Sequence, residues 1–197
     1  MSNLTESILA AATALSEGGL LSPKEFLHLA SRAAVDQALS RLAKEGQLLR
    51  VGRGAYTRSV AGRFGTRPPS MESVIDAITA ASGEVVVNHG AAEANALGLT
   101  SQVPTRDVFL TSGPARKLQL GERVIELKHG NRWQLVLGKR QAGRVIRALG
   151  WSGPQTSPAA LRRLTKQLTP EDWQDLLSVR KMMPTWMARV VSEAIQG

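Results

Sequence analysis

The sequence predicts an α+β fold: an N-terminal winged helix-turn-helix followed by a mixed α/β domain with a helical C-terminal tail. Three segments with apolar residues at helical spacing precede two short apolar runs within the first 58 residues. Three helices followed by a β-hairpin is the order of elements typical of a winged helix. A stretch without periodicity follows, and beyond it strand patterns and then helix patterns complete the chain.

The composition indicates a packed protein with an excess of positive charge. Apolar residues make up 43% of the 197 residues, which is enough to build a hydrophobic core. The formal net charge is +9, and a basic protein of this size attracts polyanions. Charge alone leaves three alternatives open: nucleic acid, an anionic membrane surface, and a solvated surface without a partner.

The residue types and segments that the sequence lacks exclude several classes of function. Without cysteine the chain forms no disulfide, no thiolate zinc site and no cysteine nucleophile. No apolar run approaches the ~20 residues of a membrane span, and the first 15 residues do not resemble a signal peptide. The sequence therefore predicts a cytoplasmic protein without a membrane partner.

The first predicted domain, residues 1–67, contains three helices and a hairpin. Apolar spacing predicts the helices over residues 3–16, 24–30 and 32–45. Ser31 is the expected cap of the third helix, and Gly46 is its stop signal. Two short apolar runs predict the strands of a hairpin over residues 47–51 and 55–58. Residues 59–70 have no period and contain Pro68-Pro69, so they are predicted to be a linker that marks the domain boundary.

The second predicted domain, residues 68–197, mixes helices with strands before the helical tail. Two helices are predicted in its first part, over residues 71–81 and 90–97. The strand candidates are residues 84–88, 106–110, 117–120 and 123–128. The tail is predicted as four helices over residues 141–149, 158–168, 170–182 and 184–195.

The helix predicted over residues 32–45 has the pattern of a DNA-reading helix. Its apolar face is formed by Val35, Ala38, Leu39 and Leu42. The opposite face carries short or polar side chains, which let a helix approach base edges: Ala33, Gln37, Ser40 and Lys44, flanked by Asp36 and Arg41. Gln pairs with adenine and Arg with guanine in bidentate fashion. Free amides at the helix N-terminus, next to Ser31 and Arg32, favour a phosphate.

The predicted hairpin adds a basic wing to this helix. Arg50, Arg53 and Arg58 lie on it, and Arg53 stands between two glycines at the tip, where it can reach a minor groove or a phosphate. Val51 and Tyr56 are expected to pack inward. Residues 31–67 hold eight basic residues and two acidic ones, a net charge of +6.

These observations predict a surface for double-stranded DNA. It is formed by ten residues of the third helix and the hairpin: Ser31, Arg32, Ala33, Gln37, Ser40, Arg41, Lys44, Arg50, Arg53 and Arg58. A winged helix that serves only protein contacts is the alternative, but such a domain needs no basic helix, wing and linker together.

Five segments of the chain have a pattern known from one protein family: LLSPKEF (20–26), SRAAVDQALSRL (31–42), LRVGRGAY (49–56), HGAAEANALGLT (89–100) and FLTSG (109–113). They resemble the AbiEi-like antitoxins of type IV toxin–antitoxin systems, which act in abortive infection and phage defence, and above all their short DUF6088-type subgroup. The resemblance implies an autorepressor that binds inverted repeats in its own promoter. It further implies an antitoxin that counteracts a toxin with a nucleotidyltransferase fold, and it assigns no toxin-binding residue.

Two other classes of function remain as alternatives. His89 follows an apolar strand and precedes a helix, a position where a side chain is catalytic, binds a ligand or caps the helix. The sequence shows no histidine pair at metal spacing, no dense carboxylate cluster and no phosphate-binding loop, so no catalytic residue, metal or cofactor is predicted. The runner-up function is a stand-alone winged-helix transcriptional regulator whose second domain senses a ligand.

Overall fold

The computed structural model of the chain describes residues 2–63 and 65–196 and shows an α+β protein with a helical C-terminal tail. The chain forms two compact units. The first consists of Met1–Glu84 and Lys117–Ile125, and the second of Val85–Arg116 and Glu126–Gly197. Neither unit ends at the predicted boundary after residue 67, and an independent domain over residues 1–67 stays a prediction.

The elements follow one another along the chain with short connections. The α-helices are α1 (Ser2–Ala14), α2 (Arg32–Lys44), α3 (Met71–Ser82), α4 (Gly90–Ala96), α5 (Arg132–Leu135), α6 (Gln141–Ser152), α7 (Ser157–Leu164), α8 (Pro170–Ser178) and α9 (Thr185–Gln196). The strands are β1 (Leu20–Leu21), β2 (Leu48–Gly52), β3 (Ala55–Arg58), β4 (Val60–Gly62), β5 (Gly65–Arg67), β6 (Val86–Asn88), β7 (Asp107–Thr111), β8 (Arg116–Leu120) and β9 (Arg123–His129). Short 3₁₀ helices cover Pro23–Phe26, Thr165–Gln167 and Arg180–Met182.

The first unit is built around a three-stranded antiparallel sheet in the order β1-β3-β2, against which α1 and α2 pack. In the pairing of β1 with β3, Leu21 lies opposite Tyr56. The shared core consists of buried apolar residues of all these elements, among them Ile8, Leu21, Leu39, Leu42, Leu48 and Tyr56. Burial of this set holds α2 and the β2–β3 hairpin in one fixed arrangement.

Helix α3 belongs to the first unit because it lies directly against the turn after α1. Gly18 has a positive φ of 80°, and a Cβ added to it would lie 2.5 Å from the carbonyl carbon of Ser73. Only glycine combines this backbone conformation with so close an approach. The first unit therefore extends beyond the stretch that the local sequence pattern assigned to it.

Two predicted segments of the first unit differ from the structure. The helix predicted over residues 24–30 is a 3₁₀ helix, Pro23–Phe26, followed by turns. Leu27 and Leu29 are exposed, so no apolar face stabilises a longer helix, and so short a segment does not sustain an α-helix by itself. The predicted linker 59–70 forms an antiparallel pair, β4 and β5, instead. Both strands are largely exposed, so their sequence shows no alternation; Phe64 of this segment lies outside the described residues.

The second unit places α6 at the centre of a helical cluster. Its core contains buried residues of α4, α6, α7, α8 and α9, among them Ala94, Val145, Ile146, Leu149, Leu161, Leu176, Met187 and Val191. Beside these helices, β6 pairs antiparallel with β7. Sequence patterns predicted the helices of the C-terminal tail to within a few residues, but they missed the short helix α5 that precedes it. They also missed the two-residue strand β1 of the first unit.

Candidate nucleic-acid interface

Helix α2 separates a buried face from an exposed polar stripe, as its periodicity predicts. Val35, Leu39 and Leu42 are fully buried, and Ala38 is 8% exposed. On the other side Ala33, Gln37, Ser40 and Lys44 are all exposed. The buried face packs against α1 and β2, so the exposed stripe cannot rotate out of its position.

The N-terminus of α2 is closed by a side-chain cap. The Ser31 hydroxyl accepts a hydrogen bond from the Ala34 amide at 3.4 Å. Arg32, the first helical residue, forms an ion pair with Asp36 one turn later, at 2.8 Å between Nε and Oδ2. Both residues remain exposed, but each already has a partner within the helix.

Arg41 is likewise held by a neighbouring element. Its Nη2 donates a hydrogen bond to Thr5 Oγ1 of α1 at 2.7 Å, and its Nε lies 3.9 Å from a Glu45 carboxylate oxygen. A depression of about 550 Å³ lies between α1 and α2 here; Gln37, Ser40 and Lys44 line one of its walls. A ligand that reaches Gln37 from this side also meets α1.

The β2–β3 hairpin presents arginines on its exposed side while its apolar side is buried. Val51 and Tyr56 are buried, as predicted. Arg53 stands at the tip between Gly52 and Gly54, and Gly54 has a positive φ of 66° that the tight turn requires. The pairing of β2 with β3 shifts between Arg50 and Gly52, a bulge that turns the strand near the tip.

Existing partners divide Arg67 and the basic residues of the predicted surface into two groups. Arg67 is paired with Glu17 through two contacts, and Arg32 and Arg41 have the partners described above. Within residues 2–63 and 65–196, the side chains of four basic residues of the predicted surface have no hydrogen bond or ion pair, namely Lys44, Arg50, Arg53 and Arg58. These four, all exposed, are the cations that an incoming anion meets without displacing an existing partner.

A second hairpin of the first unit lies beside the first and was not part of the predicted surface. Residues 117–125, the greater part of β8 and the start of β9, belong to the first unit although residues 85–116 of the second unit separate them from the rest of it along the chain. A Cβ added to Gly52 would lie 3.6 Å from Leu118, so the two hairpins are in contact range. Spacing along the sequence carries no signal for such a long-range neighbour.

His89, the candidate active-site histidine, caps a helix. Its Nδ1 accepts a hydrogen bond from the Ala91 amide at 3.3 Å at the start of α4. Burial lowers the pKa of His89, and the positive charge of Lys128 lowers it further. A neutral imidazole is the form that accepts this hydrogen bond, so the geometry and the pKa direction agree on a capping role.

Below α4, the second unit buries an ion network rather than an open site. Glu93 receives hydrogen bonds from Arg147 and Arg144, each at 2.9 Å, and Arg147 also donates to the carbonyl oxygens of Gln134 and Gly138. Glu93 and Arg147 are each only 1% exposed. The network joins α4, α6 and the segment around α5.

Two other kinds of feature, a cluster of metal ligands and a membrane-spanning helix, are absent from the described residues. Residues 2–63 and 65–196 contain no group of three or more His, Asp or Glu side chains that could hold a metal ion. None of the helices described has the length and apolar character needed to cross a membrane.

The comparisons with known proteins identify a family without a known activity. The profile of a family described as a family of unknown function (DUF6088) matches residues 7–176. No curated protein and no solved structure matches the chain. The kinship with AbiEi-like antitoxins stays a prediction.

Proposed function

We propose that this chain, which belongs to the DUF6088 family, binds double-stranded DNA through a winged helix-turn-helix formed by α1, the segment 23–30, α2 and the β2–β3 hairpin. One observation carries the proposal. The exposed stripe of α2 and the unpaired arginines of the hairpin belong to the same unit, while their opposite faces are buried in a common core. A rigid polar helix beside a basic hairpin matches the needs of groove reading and backbone contact.

The proposed roles follow from position. Gln37 stands near the middle of the exposed stripe, where an amide can pair with a base edge. Arg53 at the hairpin tip is placed for the minor groove or a phosphate, and Lys44 and Arg58 for phosphates. Ser31 and Arg32 stay predicted phosphate contacts at the start of α2, and Arg41 must leave Thr5 if it is to read a base.

The direct test is DNA binding by the full chain and by a charge-reduced variant. The triple variant Lys44→Gln, Arg50→Gln, Arg53→Gln is expected to lose binding to the promoter of its own gene, measured by fluorescence anisotropy. A matched control removes three exposed charges of the second unit, Arg162→Gln, Lys166→Gln and Lys181→Gln, and should bind as the unchanged protein does. No binding by the unchanged protein, or equal losses in both triple variants, would contradict the proposal.

We further propose that the protein is an antitoxin that represses its own operon, in a type IV system directed against a nucleotidyltransferase-fold toxin. The support is the resemblance of five segments to AbiEi-like antitoxins. Two of these segments, residues 31–42 and 49–56, cover most of α2 and of the β2–β3 hairpin. The test is co-expression with the neighbouring open reading frame, scored for rescue of growth. Growth arrest that this protein does not relieve, together with intact promoter binding, would favour the stand-alone regulator instead.

A further inference from the structure

We propose that the groove between the β2–β3 hairpin and the second hairpin, residues 117–125, binds the phosphate backbone of the same DNA duplex. The inference rests on the proposed DNA-binding function and adds a contact that lies outside the predicted domain 1–67. It assigns Lys117 as a phosphate-binding residue and makes the second hairpin part of the DNA-binding surface.

The groove exists because the second hairpin is fixed beside the first. Gly121, in the turn between β8 and β9, has a positive φ of 62°, and a Cβ added there would lie 2.9 Å from Cγ of Pro68. Leu118 faces Gly52 from the other side, in ordinary contact range. Leu118 and Leu120 are buried, so the strand is anchored by its apolar face and its alternate residues point outward.

The groove has a volume of about 630 Å³ and is lined by residues of both hairpins. Its charged lining residues are all positive: Arg50, Arg53 and Lys117. Gln119 and Val124 complete its exposed edge on the second hairpin, and none of the Asp or Glu residues in the described part of the chain lines it. The Arg50 and Arg53 side chains have no ion-pair partner among the described residues. The electrostatic field within the groove therefore favours an anion.

The form of the groove favours an extended polyanion over a small ligand. The groove is open to solvent. Its charged and amide side chains are all exposed, namely Arg50, Arg53, Lys117 and Gln119. A small-molecule site instead buries most of its ligand in an apolar cavity. Arg53, the tip residue of the proposed wing, and Lys117 both line the groove, so a duplex that meets the wing comes close to Lys117 as well.

The first test is the salt dependence of binding to promoter and scrambled duplexes. Lys117→Gln is expected to weaken both nearly equally and to lower the slope of log affinity against log salt by about 0.9. Both proteins should lose affinity when the salt concentration rises from about 50 to 200 mM. The loss of affinity should be about 3- to 4-fold smaller for the variant than for the unchanged protein. Lys117→Arg should restore the slope, and Lys181→Gln, which removes one charge in the second unit, should not change it.

The outcomes separate this inference from the proposed function. A Lys117→Gln variant that is folded and has an unchanged slope overturns the groove assignment and leaves DNA binding by α2 intact. Unchanged DNA binding together with lost rescue in the toxin co-expression assay also overturns it, because the groove would then serve a protein. Absence of DNA binding by the unchanged protein removes the proposed function itself.

A second test uses the absence of cysteine from the chain. Val124→Cys, at a groove residue that is 46% exposed, is labelled with an azidophenacyl photocrosslinker and irradiated with promoter duplex. Crosslinking to DNA is expected, as for a label at Arg53→Cys, whereas Ala159→Cys in the second unit should give none. Crosslinking from Arg53→Cys without any from Val124→Cys would overturn the inference while supporting the proposed function.

Discussion

Arg67 and Glu17, which are 50 residues apart, form a two-point ion pair, with 3.0 Å between Nη1 and Oε1 and 3.3 Å between Nη2 and Oε2. Glu17 also accepts a hydrogen bond from the Ser70 amide at 2.8 Å. These contacts hold the pKa of Glu17 below its ordinary value, with the bond from Arg67 as the main cause. The pair fastens the end of β5 to the segment that follows α1.

The pairing of Arg67 predicts that this arginine contributes little to DNA binding. Arg67→Ala should leave the salt slope of promoter binding nearly unchanged, because its charge is already matched by Glu17. Arg53→Ala removes a cation without a partner and should lower the slope by about one unit. Anisotropy titrations at several salt concentrations measure both slopes. A larger drop for Arg67→Ala than for Arg53→Ala would show that the duplex displaces Glu17, and the division of the basic residues would be wrong.

The contrast between these two arginines shows what the sequence can and cannot predict. The count of eight basic residues in 31–67 indicated an attractive surface, but a count does not distinguish paired from unpaired charges. The partners Glu17 and Thr5 lie on or just after α1, brought near by the fold rather than by spacing. The exposed stripe of α2 and the hairpin tip were predictable, because helical periodicity and the Gly52-Arg53-Gly54 turn are local signals.

The position of the second hairpin is another feature that the sequence does not predict. Sequence patterns predicted its two strands and the turn at Gly121, but not that residues 117–125 join the first unit. The placement of these residues depends on long-range packing, here of Gly121 against Pro68. Such packing produces no periodic pattern in the sequence. The boundary predicted at Pro68-Pro69 rests on the local pattern alone, which carries no information about this long-range packing.

The buried ion network of the second unit predicts unequal effects of its two arginines. Arg147→Met removes the fully buried partner of Glu93 and should lower the free energy of unfolding by about 3–5 kcal/mol. Arg144→Met should cost only roughly 1 kcal/mol, because the Arg144 side chain is 33% exposed and Glu93 keeps Arg147.

Urea unfolding of both variants tests this inequality. The double variant Glu93→Gln, Arg147→Met should recover part of the loss, since it leaves no buried charge without a partner. Equal losses of the free energy of unfolding in the two single variants would contradict this prediction. They would show that the ion pair of Glu93 with Arg147 stabilises the fold no more than its ion pair with Arg144 does.

His89 predicts a stability that depends on pH. Its lowered pKa means that the folded protein resists protonation, whereas the unfolded chain takes up a proton near pH 6.5. The contribution of His89 to the free energy of unfolding is therefore complete above about pH 6.5. It is lost as the pH falls from there toward the lowered pKa of the folded state. His89→Asn keeps an N-cap acceptor but does not titrate.

The measurement is the urea midpoint between about pH 7.5 and pH 5.5. The unchanged protein should lose stability toward low pH more steeply than His89→Asn does. His28→Asn, at an exposed histidine without a hydrogen-bond partner among the described residues, should follow the unchanged protein. Parallel curves for the unchanged protein and His89→Asn would contradict the capping role of a neutral His89.

The last prediction separates base reading from backbone contact on the proposed interface. Gln37 is exposed on α2 opposite the buried Val35 and Leu39, so its amide is placed for a base edge. Losing a bidentate base contact costs about 1–3 kcal/mol of discrimination. Gln37→Ala should therefore narrow the affinity gap between promoter and scrambled duplex by roughly 5- to 150-fold, while Arg53→Ala should weaken both duplexes more evenly. Titrating both variants against both duplexes measures the gap. An unchanged gap for Gln37→Ala, with a collapsed one for Arg53→Ala, would mean that the hairpin tip reads the sequence and that α2 only positions the protein.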